Sequence, residues 1–125
     1  MLVAALALAG IAQARTLVGT SGPDRLVGTP RADLLKGKGG KDTLIGRGGR
    51  DRLFGGPGPD VLRGGPGRDE FNTRRNGYSA GGQGNDTIHA RDRKIDLIDC
   101  GAGFDIAIVD LREDGVFNCE EIREP

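Results

Sequence analysis

Residues 37–71 read GKGGKDTLIGRGGRDRLFGGPGPDVLRGGPGRDEF, and in this stretch an aspartate returns every nine residues. Each aspartate follows a cluster of glycines and comes two residues before a leucine or a phenylalanine. Glycine supplies 23 of the 125 residues, against roughly 7% in ordinary proteins. Such a composition is found in repeat proteins and in flexible low-complexity segments, and the strict period favours a repeat protein.

Counting from Gly19 divides the chain into nine-residue units. In the first six units the sixth position is always aspartate and the eighth is always leucine or phenylalanine. The aspartates are Asp24, Asp33, Asp42, Asp51, Asp60 and Asp69, and the apolar residues are Leu26, Leu35, Leu44, Leu53, Leu62 and Phe71. A seventh unit, 73–80, lacks one residue, and we place Tyr78 in its aspartate position. The pattern returns with Asp86, and two degenerate units with Asp96 and Asp105 extend the array to about residue 108.

Each unit predicts a sharp turn followed by a very short strand. Glycines at positions one, two and four allow positive φ angles, and positions seven to nine alternate in direction as a strand does. Two units then make one coil of eighteen residues, displaced from the next coil by about 4.8 Å. Aspartates eighteen residues apart are therefore stacked neighbours, as Asp42 is with Asp60 and Asp51 with Asp69.

The acidic residues are confined to one position of the repeat. Six of the seven acids between residues 15 and 72 occupy position six, and Glu70 is the exception. Aligned carboxylates at such a spacing repel one another unless a cation lies between them. Carboxylate and backbone carbonyl oxygens in a flexible turn suit Ca²⁺, which accepts about six to eight oxygen ligands. Zinc would require nitrogen or sulfur ligands, and Mg²⁺ would keep more of its water.

The units GGPGPDVLR, GGPGRDEFN and GGQGNDTIH resemble the nonapeptide of the repeats-in-toxin (RTX), or hemolysin-type, calcium-binding family. The resemblance covers residues 19 to about 108. It implies an all-β fold, a right-handed parallel β-roll solenoid with two nonapeptides per coil. It also implies that each turn gives backbone carbonyls and its aspartate to Ca²⁺ held between a unit and the second unit after it.

Carried over to this chain, the resemblance implies a set of calcium ligands. The carboxylate ligands would be Asp24, Asp42, Asp51, Asp60, Asp69 and Asp86. The carbonyl donors, at positions one and three, would be Gly37, Gly39, Gly46, Gly48, Gly55, Pro57, Gly64, Pro66, Gly81 and Gln83. Asp33 is left out because Thr29 and Arg31 replace glycines in its unit, and Tyr78 should interrupt the column that contains Asp60. Basic residues at positions two and five, such as Lys38 and Arg50, would lower the occupancy if they faced the cation.

The two ends of the chain differ from the repeats. Residues 1–14 are apolar, uncharged and end in Ala12-Gln13-Ala14, which is typical of a signal peptide cleaved before Arg15; a single membrane anchor is the alternative. Cys100 and Cys119 are most simply a disulfide in an exported protein, with two free thiols as the alternative. The repeats would then occupy 15–108, and residues 109–125 would form a cap tied back by this disulfide.

The motif Gly77-Tyr78-Ser79-Ala80-Gly81 fits the G-x-S-x-G pattern of serine hydrolases. Such a serine needs a helix after it, and no helical pattern follows, so we do not expect this protein to be an enzyme. The leading hypothesis is a secreted, monomeric calcium-binding protein. The second is an adhesive or matrix-binding solenoid in which the stacked Lys/Arg of residues 36–52 contact anionic polysaccharide. Residues 15–72 hold eleven Lys/Arg against seven Asp/Glu. Nucleic acid is disfavoured by export and by the scarcity of aromatic residues.

Overall fold

The computed structural model describes residues 13–74, 77–91, 95–110 and 115–124. Within these residues the chain forms thirteen short strands and no helix, hence no helix that could cross a membrane. The strands are β1 Thr16–Val18, β2 Arg25–Val27, β3 Leu34–Lys36, β4 Thr43–Ile45, β5 Arg52–Pro57, β6 Val61–Arg63, β7 Glu70–Arg74, β8 Tyr78–Gln83, β9 Thr87–His89, β10 Leu97–Ala102, β11 Ile106–Ile108, β12 Gly115–Phe117 and β13 Glu121–Arg123.

Successive strands alternate between two parallel sheets. The seven odd-numbered strands form one sheet in chain order, and the six even-numbered strands form the other. Paired residues are one coil apart in the sequence, as Leu17 is from Leu35 and Leu35 from Leu53. The predicted solenoid of two nonapeptides per coil is therefore confirmed.

A row of inward side chains from each sheet forms most of the core, and Ala90, Cys100 and Val109 add to it toward the C-terminal end. Position eight is buried throughout the first six units, because the middle residue of each three-residue strand points away from solvent. The short seventh unit places Ser79 at this position, fully buried, directly after the unit that contributes the large ring of Phe71. A small side chain in one half-coil thus accompanies a large one in the half-coil before it.

The glycines of the turn serve two different purposes. The positive φ angles fall at positions two and four, as at Gly56 (88°) and Gly58 (137°), and not at position one. Lys38 and Arg47, at position two, also adopt positive φ angles, of 76° and 82°. Position one is glycine for lack of space: a Cβ atom on Gly46 would lie under 3.0 Å from Asp51 Oδ2 and from the Gly64 carbonyl.

The seventh unit corrects one expectation. Tyr78 pairs with Val61 and is therefore at position seven, so Gly77 is the residue that occupies the aspartate position. Because glycine has no side chain, the column is interrupted in this unit as predicted, but by Gly77 and not by Tyr78.

The C-terminal segment continues the solenoid. Strand β12 adds to β10 and strand β13 adds to β11, both in parallel. The disulfide between Cys100 and Cys119 is present, with Cα atoms 5.1 Å apart, and joins this last coil to the one before it. The predicted signal peptide, 1–14, lies outside the described residues except for Gln13 and Ala14.

The space argument for position one predicts unequal effects of two alanine substitutions in one turn. Gly46→Ala should destabilise the folded protein by about 1–3 kcal/mol, because its Cβ overlaps buried atoms. Gly48→Ala is the matched control, since its Cβ would lie 3.6 Å or more from its neighbours, and should change stability by less than about 1 kcal/mol. Thermal unfolding of both variants measures the difference, and equal destabilisation would contradict the argument.

Candidate metal centre

The aspartates of position six form two buried columns, one along each sheet. Each aspartate immediately precedes a strand, and in the sharp turn its side chain folds into the interior of the solenoid. The odd column, before the odd-numbered strands, contains Asp33, Asp51, Asp69, Asp86 and Asp105. The even column, before the even-numbered strands, contains Asp24, Asp42, Asp60 and Asp96, with Gly77 between the last two. All nine side chains are 5% exposed or less.

In eight of the nine described aspartates of the columns, one carboxylate oxygen accepts a backbone N–H group of the preceding coil. Asp51 Oδ1 accepts the backbone N–H of Asp33 at 2.8 Å, and Asp69 Oδ1 accepts that of Asp51 at the same distance. The odd column ends in the same way, because Glu120 Oε2 accepts the N–H of Asp105 at 2.9 Å. Where Gly77 interrupts the even column, the N–H of Asp60 donates instead to the Gly58 carbonyl at 3.1 Å.

The other oxygen is buried without a donor. Among the described residues, no hydrogen-bond partner reaches Oδ2 of six aspartates: Asp42, Asp51, Asp60, Asp69, Asp86 and Asp105. For five of these six, Oδ2 lies against the position-one glycine of its own turn, as Asp51 Oδ2 does against Gly46. An ionised oxygen that is buried and unpaired is strongly disfavoured, so these six positions call for a cation or a proton.

Burial changes the protonation of these carboxyl groups. Desolvation raises the pKa of Asp69 and Asp86 from 3.8 to about 7 and that of Asp51 and Asp60 to about 6, although the N–H bond to each carboxylate opposes the change. The pKa of Asp42 and of Asp105 is raised for the same reason. Neighbouring aspartates of the column add to the effect, because like charges disfavour ionisation.

The oxygen donors present in these turns fit Ca²⁺. Positive φ angles at positions two and four turn their carbonyls toward the next coil, so that the Lys38 carbonyl faces Gly56 and the Gly40 carbonyl faces Gly58. No group of three or more His, Cys, Asp or Glu side chains that could hold a metal occurs in the described part of the chain. Backbone carbonyl and carboxylate oxygens are the ligands that the hard Ca²⁺ ion prefers.

The predicted carbonyl donors lie at these turns, and some already accept hydrogen bonds. The Gly81 and Gln83 carbonyls accept the N–H groups of Gly65 and Gly67, at 3.0 and 2.8 Å. At position one, the Gly55 carbonyl faces Gly37 of the preceding coil. A carbonyl has a second lone pair for a cation, and the assignment of individual carbonyl ligands stays a prediction.

The basic side chains of the turns face away from the carboxylates. Lys38, Lys41, Arg47, Arg50 and Arg68 are all exposed, whereas the aspartates of the same units are buried. The positive charges at positions two and five are consequently separated from the interior of the turn, and they do not occupy the place of a cation.

The first two units differ from the rest. Asp33, which is not among the predicted ligands, lies in the odd column like its neighbours and is 4% exposed. In both units a threonine at position two donates to the carboxylate: Thr20 to Asp24 and Thr29 to Asp33. The backbone N–H of Thr20 lowers the pKa of Asp24 below 3.8, in contrast to the raised pKa values further along the chain.

Besides Asp33, three further acidic residues of the columns were absent from the predicted ligand set. Asp96 and Asp105 occupy position six of degenerate units, so the period itself was the available signal. Glu120 lies fifteen residues after Asp105, off the period, and nothing in the sequence marks it.

The serine of the G-x-S-x-G motif is a core residue. Ser79 is fully buried in β8, with strand on both sides of it. The exposed nucleophile at a strand-to-helix turn that such hydrolases require is therefore not formed by this serine.

The family model for the RTX calcium-binding nonapeptide repeat matches residues 18–53, 45–76 and 72–92. The chain belongs to the RTX calcium-binding repeat family. These repeats bind Ca²⁺, and the proteins that carry them are typically non-enzymatic and extracellular. No curated protein and no solved structure matches the chain.

The raised pKa values of the RTX columns predict that acid stabilises the calcium-free fold. An aspartate whose pKa rises from 3.8 to about 7 on folding, as for Asp69 and Asp86, binds its proton more tightly when folded. Stability is then fully present below pH 4 and is lost as the pH rises through about 7. In chelator, the β signal in circular dichroism and the melting temperature should both increase from pH 8 to pH 5.

The same change of pH should act in the opposite direction on calcium-bound protein, because protons compete with Ca²⁺ for the carboxylates. Asp69→Asn/Asp86→Asn should reduce the change in melting temperature that the protein in chelator shows between pH 8 and pH 5. A melting temperature in chelator that falls from pH 8 to pH 5 would contradict the raised pKa values of these aspartates.

Proposed function

We propose that this chain is a secreted calcium-binding protein whose turns hold Ca²⁺ between successive coils and couple its binding to folding. The observation that carries the proposal is the set of six buried aspartate oxygens without a donor. Cations bound at these turns through oxygen ligands would satisfy all six carboxylate oxygens by the same kind of interaction. The bound ion supplies positive charge that replaces the lost solvation of the carboxylates.

Coupling to folding follows from the spacing of the columns. In the unfolded chain each aspartate is solvated and its charge is far from the next, whereas folding buries the carboxylates in neighbouring coils. At neutral pH this assembly is unfavourable for the ionised groups, as the raised pKa values of Asp51 and Asp60 reflect. Any ion that binds only the folded columns shifts the equilibrium toward the folded chain.

Secretion is supported by three features. RTX proteins are typically extracellular, the Cys100–Cys119 disulfide is suited to an oxidising compartment, and residues 1–14 have the composition of a signal peptide. Cleavage before Arg15 would also leave a favourable new terminus. The Arg15 nitrogen lies 2.6 Å from Asp33 Oδ1, so the freed ammonium group would pair with a buried carboxylate.

Calcium titration of the chain from Arg15 onward tests the proposal. We expect a β signal in circular dichroism that grows with millimolar Ca²⁺, and binding heat in calorimetry. Asp51→Asn/Asp69→Asn keeps the size of both side chains and the acceptor Oδ1, but removes two neighbouring charges of one column. This variant should bind fewer calcium ions, with at least about tenfold weaker affinity at the altered turns.

Glu70→Gln is the matched control, because Glu70 is an acid of the same coil that lies on the outer face and pairs with Arg52 at 3.2 Å. Its calcium response should equal that of the unaltered protein. The proposal is wrong if the unaltered protein binds no calcium, or if the Asp51/Asp69 variant binds calcium as well as the Glu70 variant does.

An anionic-polysaccharide partner is a second candidate, and the sorting of charge between interior and surface favours it. Between residues 15 and 72, ten of the eleven Lys/Arg side chains are exposed and Arg15 is half-buried, whereas six of the seven acids are buried. The outward charge of this half is therefore strongly positive although the chain is neutral overall. Arg50 and Arg68 line one surface cavity on adjacent coils.

A polysulfated saccharide such as heparin tests this partner. Arg50→Gln/Arg68→Gln should weaken binding by roughly two- to thirtyfold, at about 0.2–1 kcal/mol for each exposed ion pair. Arg91→Gln, an exposed arginine of the C-terminal half, is the control and should have a smaller effect. This surface is excluded as the binding site if heparin does not bind in low salt, or if the Arg50/Arg68 variant and the Arg91 variant lose the same amount of affinity.

A further inference from the structure

The first two repeats have a turn of a different construction. Their position-two residues are Thr20 and Thr29, where the next two units have Lys38 and Arg47. Among the described residues, the non-glycine residues with positive φ are Lys38, Arg47 and Asn118. The two threonines therefore lie outside the left-handed region, which suits a β-branched side chain.

Each threonine fills the interior of its turn with hydrogen bonds. Thr20 donates to Asp24 Oδ2 through its backbone N–H at 2.5 Å and through its hydroxyl at 2.9 Å. Thr29 donates to Asp33 Oδ2 in the same two ways, at 2.5 and 3.0 Å. Oδ2 of six later aspartates, Asp42, Asp51, Asp60, Asp69, Asp86 and Asp105, has no such donor among the described residues.

The hydroxyl groups also connect to the opposite side of the turn. Thr20 Oγ1 accepts the N–H of Gly22 at 3.2 Å, and Thr29 Oγ1 accepts the N–H of Arg31 at 3.1 Å. One hydroxyl thus joins the carboxylate of position six to the N–H of position four. The position-two side chains of the next two units cannot do this, since Lys38 and Arg47 are exposed.

We propose that Thr20 and Thr29 close the first two turns without a metal, so that this coil folds in the absence of calcium and calcium binding begins at the later turns. Residues 19–36 make one complete coil and carry β2 and β3, onto which β4 and β5 pair directly. This coil is a preformed edge for the calcium-dependent part of the solenoid. The statement about the first coil stands by itself, and the statement about the later turns rests on the proposed calcium function.

Hydrogen exchange of the full chain in chelator and in calcium tests the inference. In chelator, the amides of residues 20–36 should exchange at least about tenfold more slowly than those of residues 43–72. Thr20→Val/Thr29→Val keeps the shape of both side chains but removes the hydroxyl bonds, and it should abolish this difference. Thr43→Val, a half-buried threonine at the start of β4, is the matched control and should preserve it.

Calcium stoichiometry by native mass spectrometry gives a second readout, which does not depend on the stability of the valine variant. Thr20→Gly/Thr29→Gly restores the glycine pair of the family pattern and should increase the number of calcium ions bound. If the unaltered protein binds calcium, an unchanged number of ions in this variant overturns the inference, and fast exchange of residues 20–36 in chelator overturns it in any case. Absence of all calcium binding overturns the proposed function instead, and slow exchange of residues 20–36 in chelator would still support the closed first coil.

Discussion

Burial of stacked carboxylates, one from most of the half-coils, is the constraint on which the rest of this solenoid depends. The nine described aspartates of the two columns are 5% exposed or less, at a spacing set by the hydrogen bonds between strands. Since that spacing cannot change without breaking the sheets, the charges must be neutralised where they stand. Protons, a cation or hydrogen-bond donors of the chain are the available means.

The turn around each aspartate is built for this purpose. A glycine at position one leaves room for Oδ2, and positive φ angles at positions two and four direct carbonyls toward the neighbouring coil. The exposed Lys38 and Arg47 accept the same backbone angle at some conformational strain. The turn has a different construction where position two is threonine, because the threonine hydroxyl donates a hydrogen bond to the carboxylate. In the first four units, Oδ2 therefore has a donor where position two is threonine and has none where position two is lysine or arginine.

Much of this arrangement could be predicted from the sequence, since a period of nine determines the coil, the register and the buried faces together. The details that escaped prediction depend on contacts between coils. The prediction put Tyr78 in the aspartate position instead of Gly77, because the sequence does not show where in its unit the missing residue belongs. The pairing of Tyr78 with Val61 decides this. Glu120 lies off the period, and the meaning of Thr20 and Thr29 appears only when their hydroxyls are seen to reach the carboxylates.

Burial of the acids also explains how a neutral chain acquires a charged surface. The N-terminal half places its aspartates inside and its lysines and arginines outside, so its inward and outward faces carry opposite charge. Ca²⁺ bound by the carboxylates would neutralise the buried negative charge and leave the positive charge of the surface unchanged. The same ion that stabilises the columns would therefore increase the attraction of this surface for polyanions. Calcium binding and surface recognition, the two candidate functions, are linked through a single electrostatic arrangement.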